Sequence, residues 1–149
     1  MAVALAGAAG GAEPETLGGK AVALDGDTLF LEVAPGRRER VRLFGIAAPE
    51  MADLPCGALA RLTLDRVSYE YQVTCRVLER DRHKRPVGQC TAAGGSEPMG
   101  LWLLRQGAAT AHRLYTYGPE APPEAGLLYD RAEREAQEKG LGLWGQWRC

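Results

Sequence analysis

The chain has 149 residues, 46% hydrophobic and 25% charged, with 19 glycines, 9 prolines, 4 cysteines and a formal net charge of −1. These values describe one globular domain with its own core and no room for a second of ordinary size, and they exclude a collagen-like repeat, a disordered chain and a strongly basic nucleic-acid coat. No apolar run approaches the roughly 20 residues that a membrane-spanning helix needs.

Met1 to Ala12 is almost wholly small and apolar, resembling the back half of a secretory signal without its basic start. Residues 1–18 are therefore expected to be a signal remnant or a flexible tail, and residues 19–149 the folded domain. Lys20 to Leu24 and Leu29 to Val33 read as strands joined by the turn Asp25-Gly26-Asp27-Thr28. Glu39 to Ile46 reads as a third strand, with Val41, Leu43 and Gly45 facing the core and Arg40, Arg42 and Phe44 facing away. Cys56 to Val67 is expected to be an amphipathic helix on Leu59, Leu62 and Val67. Strict alternation from Tyr71 to Val77 predicts a fourth strand, and Val87 to Ala92 a fifth.

Downstream, Ser96 is the expected cap of a short helix that carries Met99, Trp102 and Leu103 and stops at Gly107. Pro122-Pro123 opens a longer helix on Leu128, Ala132 and Ala136, ended by Gly140. Five strands first and helices mostly late predict an α+β domain: a small antiparallel barrel of OB type with three helices outside.

Cys56, Cys75, Cys90 and Cys149 contain no C-x-x-C pair, which argues for disulfides in an oxidising compartment, secreted or periplasmic, over a zinc site. Three pairings exist in principle. If the fourth and fifth strands form a hairpin, Cys75 and Cys90 face one another, leaving Cys56 and Cys149 as a candidate second bridge.

Asp25, Asp27, Arg42, Glu50 and Arg85 sit at turns and strand ends. Phosphodiester hydrolysis calls for such a set: carboxylates that hold a hard cation, a carboxylate that activates water, and planar guanidinium forks for the phosphate oxygens. Arg76, Arg80, Arg82, Lys84 and Arg85 form a basic cluster suited to a phosphate backbone.

In their order, Asp25-Gly26-Asp27-Thr28, Arg42-Leu43 with Gly45 to Glu50, Asp81-Arg82-His83-Lys84-Arg85, Leu104 to Ala109 and Gly140-Leu141-Gly142-Leu143-Trp144 resemble the staphylococcal nuclease family from Lys20 to Trp147. The resemblance implies that family's five-stranded OB barrel with three helices, and hydrolysis of DNA or RNA with calcium or another divalent cation. It makes Asp27 a calcium ligand, and because Ala47 offers no side-chain oxygen, Asp25, Glu50, the Ala48 backbone carbonyl, water or the substrate's phosphate would complete the coordination. Arg42 and Arg85 become phosphate clamps, Glu50 the general base, and Tyr115, Tyr117 and Lys84 nucleotide-binding residues. Nucleic acid is the implied partner, and the chain is expected to be a monomer. Ala47 departs from the pattern, because the family carries an aspartate there as a second carboxylate ligand. Weaker metal binding is the expectation, and a catalytically inactive OB module that binds nucleic acid or a protein partner is the alternative. Lys84 also departs, standing where a glycine is common.

Overall fold

In the computed structural model, which describes residues 14–149, the alternating segments become three antiparallel strands: β1 (Thr16–Ala23), β2 (Thr28–Ala34) and β3 (Arg37–Leu43). β1 starts ahead of the boundary expected at residue 19, and the signal-like Met1 to Ala12 lies outside the described residues. A two-residue strand, β4 (Ile46–Ala47), follows, then α1 (Cys56–Ser68), β5 (Gln72–Arg80) and β6 (Pro86–Ala92). The remaining elements are α2 (Met99–Arg105), β7 (Thr110–Ala111), α3 (Arg113–Thr116), α4 (Ala125–Lys139) and a 3-10 turn at Gly142–Trp144.

The barrel closes in the order β1-β2-β3-β6-β5, with β5 returning to β1. Its one parallel junction sets Arg42 and Leu43 of β3 beside Val87 and Gly88 of β6. β4 and β7 pair separately, Ile46 with Ala111 and Ala47 with Thr110. This is the expected five-stranded OB-type barrel, corrected in one respect: it is mixed and not wholly antiparallel, because β3 and β6 run parallel. Leu29, Leu31, Val41, Leu43, Val73, Cys75, Val87 and Cys90 fill its core, because alternate strand residues point inward. Phe44, Ile46, Leu103, Leu104 and Tyr129 join the barrel to its helices, with Phe44 and Tyr129 edge to face at 5.6 Å between ring centroids.

Several expectations are corrected. β3 ends at Leu43, so Phe44 escapes strand alternation and is buried. The buried face of α1 runs through Ala60, Thr63 and Leu64, leaving Leu62 exposed, and α4 buries Tyr129 where Leu128 was expected. Ala132 and Ala136 are buried as expected, so the error in α4 is confined to Leu128; in α1, Leu59 and Val67 are half-buried and Leu62 alone of the expected face is exposed, because small residues mark the buried side faintly. Pro98 occupies the N-cap of α2 and no side chain caps it, so Ser96 does not serve there. The single-turn α3 adds a fourth helix.

Both bridges form. Cys75 and Cys90 are register partners of β5 and β6, with 4.0 Å between Cα atoms, and Cys56 joins Cys149 across 93 residues, with 5.6 Å between Cα atoms. A cross-link over so long a loop restricts the unfolded chain strongly. The Cys56→Ser/Cys149→Ser variant is expected to lose about 2–4 kcal/mol of unfolding free energy in urea titration. A loss below ~1 kcal/mol would show that packing alone holds the C-terminus.

Candidate active site

The first turn, the start of β2, the end of β3, the β4 turn and the β5–β6 loop meet at one end of the barrel. They enclose a cleft of about 260 Å³ lined by Asp25, Asp27, Thr28, Arg42, Ala47, Ala48, Pro49, Glu50 and Arg85. Residues spread over sixty positions of sequence thus share one wall, and every charged residue weighed for phosphodiester chemistry is among them.

Asp27 organises the cleft. Only 7% exposed, its carboxylate accepts from Thr28 Oγ1 at 3.0 Å and from the Ala48 N–H at 2.9 Å, and lies 3.5 Å from Arg42 Nη2. Arg42 Nη2 also donates to the Ile46 carbonyl at 3.2 Å, while its Nε is buried with no partner among the described residues. Arg42 is therefore held in place, with one buried donor unpaired among the described residues.

Two glycines allow the segments to close. A Cβ on Gly26 would stand 2.6 Å from the Cβ atoms of Ala48 and Ala60, and one on Gly57 would collide with the Glu50 carbonyl. The Glu50 turn thus rests directly on the first turn of α1 and is fixed further by Asp53 N–H donating to the Glu50 carbonyl at 2.9 Å. The Glu50 side chain remains exposed at the cleft mouth.

Asp25 Oδ1 accepts from the Asp27 N–H at 3.0 Å, an Asx-type turn. Burial pushes its carboxyl above the ordinary aspartate value, and the neighbouring Asp27 charge adds to this against the lowering effect of that hydrogen bond. Asp25, Asp27 and Glu50 are the carboxylates on this wall, since Ala47 presents only a methyl group. Among the described residues no three His, Cys, Asp or Glu side chains form a metal-holding group. The Ala48 N–H donates to Asp27 at 2.9 Å.

Arg85 is aimed by a residue that sequence reasoning left without a role. Asp81 accepts from the Arg85 backbone N–H at 3.0 Å, from Arg85 Nε at 2.8 Å and from the His83 N–H at 2.8 Å. Burial raises the Asp81 carboxyl, but these bonds and the Arg85 charge outweigh it and hold the group below its usual value. The signal was an aspartate four residues before the arginine in a tight loop. Lys84 takes a left-handed φ of 63°, which explains why glycine suits the position.

A groove of about 430 Å³ continues from the cleft, sharing Arg42 and Arg85 and adding Arg80, Arg82, His83, His112 and Tyr115. His112 and Tyr115 pack ring to ring at 4.6 Å; no sequence signal marked His112 for this wall. Tyr115 thus lines the groove that adjoins the cleft. Tyr117 and Lys84 line neither space. The Tyr117 hydroxyl donates to Asp130 at 2.6 Å, and a Cβ on Gly126 would meet the Tyr117 ring.

Comparison with known proteins agrees with this arrangement. The model of the staphylococcal nuclease homologue family matches residues 40–146. An uncharacterized endonuclease of Haemophilus influenzae is 30% identical over 132 residues, covering 83% of this chain and 68% of its own length. A thermonuclease of Staphylococcus intermedius is 31% identical over 134 residues, covering 81% of this chain and 71% of its own. With the barrel, the cleft and these matches in agreement, the chain belongs to the staphylococcal nuclease homologue family.

Proposed function

We propose that this nuclease-family chain hydrolyses phosphodiester bonds of DNA or RNA in the cleft of Arg42, Glu50 and Arg85, with a divalent cation. The observation that carries the reading is the convergence of two guanidinium groups and three carboxylates on one cleft. Attack on a phosphodiester is slow because its oxygens repel the nucleophile and gain charge as the new bond forms. Glu50, exposed at the mouth, takes the proton of an attacking water as its oxygen bonds to phosphorus; the P–O bond to the departing nucleoside oxygen breaks, and that oxygen takes up a proton from solvent. Arg42 and Arg85 receive the phosphate oxygens, whose charge rises toward the transition state, so their hydrogen bonds strengthen as the reaction proceeds. Asp27 fixes Arg42, and Asp81 fixes Arg85, before the substrate arrives.

The donor set fits a hard cation: Asp25 and Asp27 are crowded carboxylates, and the Asp25 carboxyl is raised by burial and by its neighbour's charge. They would hold it together with water and substrate phosphate oxygens, a mode suited to sites with few protein carboxylates. When bound, the ion would neutralise charge on the scissile phosphate. A catalytically silent nucleic-acid-binding module is the second reading, favoured by Ala47 on the cleft wall. Two disulfides support a secreted or periplasmic setting. Among the described residues no helix is long and apolar enough to cross a membrane.

Glu50→Gln is expected to lower kcat on single-stranded DNA by about 10²–10⁴-fold without changing Tm, because the side chain is exposed. Full activity in that variant would remove the base assignment, and no cutting by the unaltered, folded chain under any cation would leave the silent module. Asp81→Asn keeps one acceptor but loses the charge that holds Arg85, so kcat is expected to fall about tenfold while the circular dichroism spectrum stays unchanged. An unchanged kcat would show that Arg85 needs no such guide.

Asp25 gives a test in which the signs oppose. Because the fold raises its carboxyl, ionisation costs stability, a cost absent below the ordinary aspartate range and complete above the raised value. Asp25→Asn should therefore raise Tm at pH 7 without cation, leave it unchanged at pH 3, and abolish the Tm increase that calcium or magnesium gives the unaltered chain. A Tm that still responds to the cation would take Asp25 out of the site.

A further inference from the structure

We infer that the outward face of β1–β3 is a second binding surface, continuous with the cleft, which holds a single nucleic-acid strand by successive phosphates and one stacked base. The inference rests on the nuclease reading and gives it a substrate form, an extended single strand.

Arg38, Arg40 and Arg42 occupy alternate positions of β3, while Val41 and Leu43 between and beyond them are buried in the core. The three arginines therefore share the opposite face, their Cα atoms about 6.6–6.8 Å apart in succession. The register extends this row sideways. Arg42 faces Thr28 at the cleft; Arg40 faces Phe30, with Val22 beyond it; Arg38 faces Glu32, with Lys20 beyond it. Moving away from the reacting centre, a strand would meet Arg42, then Arg40 on an aromatic and apolar step, then Arg38.

The chemistry of the step is specific. The Arg40 guanidinium lies over the Phe30 ring, 5.4 Å from its centroid, and Val22 is 43% exposed. A guanidinium laid on a ring offers its outer plane to a base and its edge to a phosphate. Neither Arg38 nor Arg40 makes an ion pair with a described residue, whereas Arg37, on the inward parity, lies 3.8 Å from Glu39. Glu32, the acid nearest Arg38 in the register, accepts from the Gly36 N–H at 3.4 Å. OB barrels use the face of their second and third strands for oligonucleotides. The competing explanation is protection of an edge: β3 pairs with β6 only at Arg42 and Leu43, and charges along the open remainder would deter strand addition.

The test is fluorescence anisotropy with a labelled oligothymidylate, using Glu50→Gln as the background to prevent cutting. Arg38→Ala and Arg40→Ala are each expected to weaken binding about five- to tenfold at low salt and to reduce the log–log salt slope by about 0.7. Arg37→Ala, an equal change of charge off the row, should do neither. In the background that retains Glu50, the first two variants should raise KM for the oligonucleotide and leave cleavage of a dinucleotide, too short to reach Arg40, unchanged. Binding equal to that of the unaltered chain, binding too weak to measure in any form, or an equal effect of Arg37→Ala would overturn the surface and leave the charges as edge protection. If the anisotropy pattern holds but nothing is cut, the nuclease reading fails and the surface stands. If the dinucleotide is cut but the arginine variants bind normally, the surface alone fails.

Discussion

The buried carboxylate of Asp27 is the interaction on which the cleft depends. An ionised group almost sealed from water costs several kcal/mol unless its oxygens are met by donors. Here the donors come from its own turn, through Thr28, from the β4 turn, through the Ala48 N–H, and from β3, through Arg42. The Asp27 carbonyl also accepts from the Leu43 N–H at 2.8 Å, so its main chain latches the same turn to the end of β3. Three segments that could shift independently at the end of a barrel are thus drawn to one group. The arrangement that satisfies Asp27 also aims Arg42 and seats the turn that carries Glu50.

This explains which parts of the molecule were legible in the sequence. The strands were, because alternation of Val41, Leu43, Val73 and Cys75 with polar residues is a local signal that one buried face enforces. The Cys75–Cys90 bridge followed from the register of a single hairpin. The helix faces were read correctly at Ala132 and Ala136 and wrongly at Leu62 and Leu128, because Ala60 and Gly126 bury little and mark their side faintly, while the two leucines are large and exposed. The pairing of β4 with β7 joins Ala47 to Thr110 across the chain, and two-residue strands carry no periodicity to read. In the site, the cleft residues were legible by motif. The Asp81 brace and the diversion of Tyr117 to Asp130 depend on side-chain hydrogen bonds that composition does not encode.

The Cys56–Cys149 bridge has a position as well as a strength. Cys56 opens α1 immediately before Gly57, whose backbone carries the Glu50 carbonyl against it, and a pocket of about 360 Å³ lined by the bridge with Pro49, Asp53, Leu54 and Leu143 adjoins the same turn. Cross-linking there anchors the C-terminus beneath the segment that presents Glu50. Among the described residues the turn has no strand partner beyond β4, so the hold of Asp27 on Ala48 is supplemented from this underside by the α1 backbone, the Asp53 hydrogen bond and the covalent tie.

Ala47 changes the electrostatic balance of the cleft more than its shape. With an aspartate there, the wall would carry four carboxylates against two guanidinium groups; with alanine it carries three, Asp25, Asp27 and Glu50, against Arg42 and Arg85. One fewer negative charge makes the cleft a poorer host for a free cation and a less repulsive one for an incoming phosphate. The two effects act together, because the phosphate supplies the oxygens that the wall has given up. In the proposed mechanism cation and substrate would therefore bind with positive coupling, each raising the affinity for the other by the same factor. In that mechanism the loss of a carboxylate would shift the order of assembly toward substrate first, and it would leave the groups proposed to act on the reacting atoms, Glu50, Arg42 and Arg85, in place.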